Sequence, residues 1–138
     1  VMNKRRPVLG SPGFWTLALT GAFLAACGSQ DDNARGSAEK AISAKLKDPG
    51  SAKFTDVFLV EVKAPAPETR HVAVCGTVDG KNSFGAYSGG SRFVVLKSFG
   101  LGQFKTEGTV FAEIEDVSSA SSAKAFAQVY WSKYCEKK

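Results

Sequence analysis

The chain has 138 residues, with 18 Lys and Arg against 13 Asp and Glu, a net charge of +5, and 43% hydrophobic residues. Three of the cations stand together as Lys4, Arg5 and Arg6, and outside that cluster 15 bases face 13 acids. So even a balance gives no basic patch for a nucleic-acid surface, the Lys137-Lys138 pair being too short, and nucleic acid is not an expected partner.

The N-terminus divides into three parts. The cationic cluster comes first, and Pro7 to Pro12 forms a turn-prone spacer. Phe14 to Ala26 is then an uncharged run of 13 residues that closes on small side chains before Cys27. Charge, apolar run and small-residue exit are the parts of a secretory signal. As a helix, 13 residues span about 20 Å, short of the roughly 30 Å of a hydrocarbon core, so a transmembrane anchor is the weaker alternative. Leu24-Ala25-Ala26-Cys27 resembles the lipobox of bacterial lipoproteins. The resemblance implies removal of residues 1–26 by cleavage between Ala26 and Cys27. It also implies acylation of Cys27, palmitate included, and insertion of the acyl chains into a lipid bilayer. Two or more chains anchor stably where one does not. It further implies an extracytoplasmic address in the cell envelope. Gly28, not Asp, follows the cysteine, which by the sorting rule of Gram-negative lipoproteins favours the outer membrane, facing the periplasm.

On that reading the mature chain runs from Cys27 to Lys138, 112 residues, enough for one small core. Two cysteines remain, Cys75 and Cys135, and an even number in an oxidising compartment predicts a disulfide. Two separate buried thiols, or a catalytic thiol, are the alternatives. A bridge would close a loop worth roughly 4 kcal/mol of chain entropy.

Residues 27–36 are polar, small and without apolar periodicity, and read as a flexible tether ahead of a single α+β domain over 37–138. Ser37 to Lys47 is predicted helical, capped by Ser37, with Ala38, Ala41, Ile42 and Leu46 on one face. Asp48-Pro49-Gly50 ends it. Phe54 to Lys63 and His71 to Val78 are predicted strands joined by the stiff Ala64-Pro65-Ala66-Pro67 connector. Asp79-Gly80 signals a turn. Ser91 to Ser98 is an apolar run expected to be buried on both faces, and Thr109 to Asp116 a fourth, alternating strand. Val117 to Lys133 is predicted helical, with Ser118 or Ser119 as cap and a stripe of Ala123, Phe126, Ala127, Tyr130 and Tyr134. Helix, four strands, helix leaves no βαβ crossover. The expected fold is therefore α+β, an antiparallel sheet of about four strands with the N-terminal and C-terminal helices packed together on one side.

Lys81 to Gly90 (KNSFGAYSGG) stands out. It carries three glycines and two aromatics, with almost no aliphatic residue. It lacks the order of a phosphate loop, and no helix follows. Loops carry binding more often than cores do, so Lys81, Asn82, Phe84 and Tyr87 form the candidate binding loop. The alternative is that its aromatics close one end of the core. The segments Lys47 to Phe54 and Val74 to Tyr87 resemble a group of small, largely uncharacterised bacterial and phage-borne secreted or lipoprotein domains. That resemblance implies no activity.

Catalytic patterns are weak. His71 is the lone histidine, no G-x-S-x-G is present, and no spacing suggests a metal site. Glu113 with Glu115 alternates with apolar residues, as acids on a solvated sheet face do, and Asp48 with Asp56 is the other carboxylate pair considered. No cofactor is expected. The leading expectation is a non-enzymatic, lipid-anchored envelope protein that binds an envelope protein or peptidoglycan. A periplasmic inhibitor or immunity-type lipoprotein acting on a hydrolase is the alternative, and a hydrolase using His71 or a carboxylate comes third.

Overall fold

A computed structural model describes residues 29–102 and 106–136. The expected signal segment, the expected cleavage position between Ala26 and Cys27 and the expected acylation site Cys27 lie outside the described residues. The elements are α1 (Gln30–Ser43), a 3-10 turn (Pro49–Ser51), β1 (Lys53–Val62), β2 (Thr69–Asp79), β3 (Ser91–Gly100), β4 (Glu107–Ile114) and α2 (Ala120–Phe126). A π-helical stretch, Ala127–Trp131, and a last α turn, Ser132–Tyr134, continue α2. The four strands form one antiparallel sheet in the order β1-β2-β3-β4, so the α+β class holds.

Helix α1 begins seven residues before the predicted start. Ser29 is its cap. The Ser29 hydroxyl accepts from the Asp32 N–H, and the Asp32 carboxylate accepts from the Ser29 N–H, a capping box that satisfies two orphan donors at once. Ala34, Ala38 and Ile42, spaced four apart, are fully buried. Residues 30–36, expected as most of a tether, are therefore the first half of a packed helix. The segment reads as polar because its exposed face is polar and its buried face is alanine. Ser37, expected as the cap, sits mid-helix, its hydroxyl oxygen 2.8 Å from the Asn33 carbonyl oxygen. The helix ends at Ser43, and Leu46 packs against the core from the turns beyond.

The two helices lie on opposite faces of the sheet, which corrects the expectation that both lie on one. Under α1 are Val72, Val74 and Val78 of β2 with Phe93, Val95 and Phe99 of β3. On the other face Ala73, Cys75, Val94 and Leu96 meet Phe126, Tyr130, Trp131 and Tyr134. The reason is in β2 and β3, where consecutive residues are apolar in both directions. Fully burying each Val, Leu or Phe is worth about 1.5–3 kcal/mol, so neither face can be left to water. Of the predicted stripe on the C-terminal helix, Phe126, Tyr130 and Tyr134 pack in the core while Ala123 and Ala127 are half-buried outside the cluster, and Ser119 is the cap. At Gly76 an added Cβ would sit 3.0 Å from Phe93 Cε1 and 3.1 Å from Val57 Cα. That glycine lets β1 and the Phe93 ring close over β2.

Both edge strands are interrupted. The β1–β2 register shifts between Thr55 and Phe58, where Asp56 takes φ 51°. The β3–β4 register shifts beside Lys97, leaving Val110 unpaired and exposed. These are β-bulges. Lys97 is 3% exposed; its Nζ lies 2.9 Å from Glu107 Oε1 and 3.0 Å from Thr109 Oγ1. A buried charge needs such partners. The Ser37 hydroxyl, donating to Glu107 at 2.7 Å, holds the Glu107 carboxyl below its ordinary value of 4.5, with Lys97 second.

Cys75 of β2 and Cys135, just past the C-terminal helix, are joined in a disulfide across a separation of 60 residues. Replacing both by Ala is expected to lower stability by about 2–4 kcal/mol. Urea unfolding of the double variant would show this as a reduced midpoint. An unchanged midpoint would mean that the core holds the helix down without the bridge.

Candidate functional site

The four loop residues singled out by sequence are brought together, in an ordered turn. Asn82 organises it. Its Oδ1 accepts from the Phe84 N–H at 2.9 Å and the Ala86 N–H at 3.2 Å, and its own N–H donates to the Ala86 carbonyl at 2.8 Å. Asn suits this role because its short amide mimics a backbone turn. Gly85 and Gly89 have φ of 79° and 85°, values that glycine adopts without steric cost. Lys81 pairs with Tyr87 as an isolated β-bridge across the base.

The two aromatics are placed differently. Phe84 is 94% exposed at the tip. Tyr87 is 38% exposed, and its ring lies 4.0 Å from Lys53 Nζ and 5.8 Å from Lys81 Nζ, a cation–π arrangement that holds the base of the loop. Neither aromatic belongs to the two core clusters, so the alternative in which they close the end of the core is not what forms.

Beside the loop is a cleft of about 480 Å³ that sequence reasoning missed. It lies between the turns after α1, the base of the loop and the end of β4. Leu46, Val78 and Ile114 supply apolar lining, and three lysines and four acids are among the other lining residues. Three of the acids are engaged. Glu113 Oε2 is 3.9 Å from Lys45 Nζ. Glu115 takes a two-pronged hydrogen bond from Arg92, at 2.8 Å and 2.6 Å. Asp116 accepts from the Ser118 N–H. The fourth, Asp79, has its Oδ1 buried without a hydrogen-bond partner, the one such side-chain atom found among the described residues. An unpaired buried acceptor is costly. The sequence signal was present in part: Asp79-Gly80 marks the turn, but the approach of Leu46 and Glu113 is set by tertiary packing.

Arg92 was also missed. Its guanidinium lies 5.0 Å from the Trp131 ring and 5.7 Å from Phe126 while it grips Glu115. It joins β3, the residue that follows β4 and the C-terminal helix in one contact. Arg can do this because its flat head stacks and forks at the same time.

Of the remaining chemical candidates, Glu113 and Glu115 line the cleft beside the loop, and His71 is far from it. His71 lies on β2 opposite Val62 and Ser98, near the β1–β2 connector and at the other end of the sheet. Glu113 and Glu115 are both in ion pairs. Asp48 stands at the start of the 3-10 turn with no capping hydrogen bond from its side chain, and Asp56 occupies the β1 bulge. Among the described residues no group of three or more His, Cys, Asp or Glu is arranged to hold a metal ion, and no helix is long and apolar enough to cross a membrane.

Fold and site together define a small four-stranded α+β domain with a helix on each face and an ordered aromatic-tipped loop at one end. Comparison of the chain with protein-family models, curated proteins and solved structures returned no match.

Arg92 pulls the Glu115 carboxyl below its ordinary value of 4.5. A carboxyl lowered on folding contributes stability that is complete above the unfolded value and is lost as pH falls through the folded one. Glu115→Gln is therefore expected to be less stable than the parent at pH 7 and to lose less on acidification from about pH 5 to pH 3. Urea unfolding across that range reads the difference. Equal acid slopes would show that the pair contributes nothing.

Proposed function

We propose that the protein is a non-enzymatic envelope lipoprotein, anchored through acylated Cys27, that captures a protein partner with the 81–90 loop. The observation that carries the binding half is Phe84, 94% exposed at the tip of a turn fixed by Asn82. A large aromatic held in water gains its full transfer energy when a partner covers it. An ordered loop loses little conformational entropy on binding. The anchor half rests on the lipobox resemblance at Leu24-Ala25-Ala26-Cys27. The disulfide supports an oxidising compartment. The Glu113 and Glu115 ion pairs leave those acids poorly placed for acid–base work, which favours binding over hydrolysis.

A second reading draws on the same loop. An inhibitor or immunity-type lipoprotein would insert a rigid projection into a hydrolase cleft, and Phe84 on its fixed turn has that form. Loss of hydrolase activity on adding the protein, restored by Phe84→Ala, would select it over simple capture. Binding to purified peptidoglycan instead of protein would move the reading to the cell wall.

Two experiments test the proposal. In cells fed a palmitate analogue, the parent is expected to label and to fractionate with membranes, and Cys27→Ala to do neither; identical behaviour of the two would defeat the anchor. In an envelope pull-down, the folded Phe84→Ala/Tyr87→Ala variant is expected to lose its partner at least tenfold, since a hot-spot aromatic is worth about 2 kcal/mol or more. Full retention of every partner would remove the loop as the binding site.

A further inference from the structure

We infer that the anchored domain stands on its bilayer by one fixed pole, with the β1–β2 connector against the lipid and the 81–90 loop turned away from it. This rests on the acylation of Cys27 proposed above, and adds the surface that meets the lipid. The argument begins with chain length. Only Gly28 separates Cys27 from Ser29, and Ser29 already caps α1. Two Cα–Cα steps span at most about 7 Å. An acyl chain on Cys27 therefore brings the first turn of α1 to the lipid surface.

That turn is not free to swing. Arg70 donates to Asp31 at 2.8 Å and to Gln30 Oε1 at 3.3 Å while also pairing with Glu61. One turn on, Arg35 Nη1 donates to the Val57 carbonyl at 2.8 Å, and Ala34 is fully buried. Glu61 and Arg70 flank the β1–β2 connector, so the helix start and the connector share one pole. Leu101, just past the end of β3, is at the same pole, its N–H donating to the Glu68 carbonyl at 2.8 Å.

The chemistry of this pole suits a lipid interface. The connector tip is Ala64-Pro65-Ala66-Pro67, whose prolines bring no N–H to desolvate. Leu101 beside it is 53% exposed. Lys63 and Glu68 flank the tip with opposite charges, so contact does not depend on anionic lipid. The binding loop is at the far end. Helix α1 is about 21 Å long, and β2 covers about 30 Å between Arg70 and Asp79. Leu46 lies against Gly80, and Lys47 Nζ reaches Ser83 Oγ at 3.2 Å. Phe84 therefore faces the aqueous side, and its partner is met there and not in the anchoring membrane.

The test uses the full acylated protein in vesicles of phosphatidylethanolamine and phosphatidylglycerol, with a fluorophore on Ala66→Cys or on Ser83→Cys. Cys75 and Cys135 are bridged and Cys27 is acylated, so the added thiol takes the label. A quencher on the lipid headgroup region is expected to quench position 66 several times more than position 83. Lengthening the join by inserting a Gly-Ser segment between Gly28 and Ser29 is expected to erase that difference. Equal quenching at the two sites without the insertion, or stronger quenching at 83, overturns the orientation while leaving the anchor intact. Protein with Cys27 present that fails to float with the vesicles overturns the anchor, and the orientation with it.

Discussion

Strands β2 and β3 present apolar side chains to both faces of the sheet, and each face has to be covered. A single helix cannot do it. The N-terminal helix takes the face of Val74 and Phe93, and the C-terminal helix takes the face of Cys75 and Val94. The positions of other features follow from this division. The disulfide runs from the centre of the sheet to the end of the second cover. Arg70 and Arg35 fasten the first cover at its start, and Arg92 fastens the second. With both faces taken, only the ends and edges of the sheet remain for interaction, and the loop and cleft are at an end.

Much of this was readable from residue patterns. The four strands appear close to where β-branched and aromatic runs end at Pro, Gly and Asp, because those runs combine local preference with burial. The stripe ending in Tyr130 and Tyr134 declared the second cover. The apolar run Phe93-Val94-Val95-Leu96 declared a strand buried on both faces, yet this already contradicted helices on one side. A strand with no solvated face requires cover on both. Helix α1 escaped for another reason. Its buried stripe is Ala34, Ala38, Ile42, and two alanines carry too little hydrophobicity to mark a face when Asp, Asn, Arg and Gly surround them. Ser29 with Asp32 was the available signal, a short capping box.

The candidate site was half legible. A run with three glycines and two aromatics marks a loop, and Asn82 is a natural organiser of turns. Which aromatic would be exposed was beyond reach, because Tyr87 owes its position to Lys53 on a neighbouring strand. The cleft was beyond reach for the same reason: Leu46, Gly80 and Glu113 belong to three separate segments. Lys97 shows a finer failure. A lysine inside Val-Val-Leu-Lys-Ser-Phe reads as a surface residue that interrupts a core strand, whereas Glu107 and Thr109 allow it to be buried whole.

The interrupted outer strands have a consequence for crowding. An open four-stranded sheet offers two borders at which a neighbouring molecule could add its own strand. Here each border is broken near its middle, by Asp56 in a left-handed conformation on one side and by the extra residue Val110 on the other. A visiting strand would find matched backbone partners for only part of its length before the pleat went out of step. Many copies gathered on one surface would therefore remain separate bodies instead of zipping into a continuous sheet.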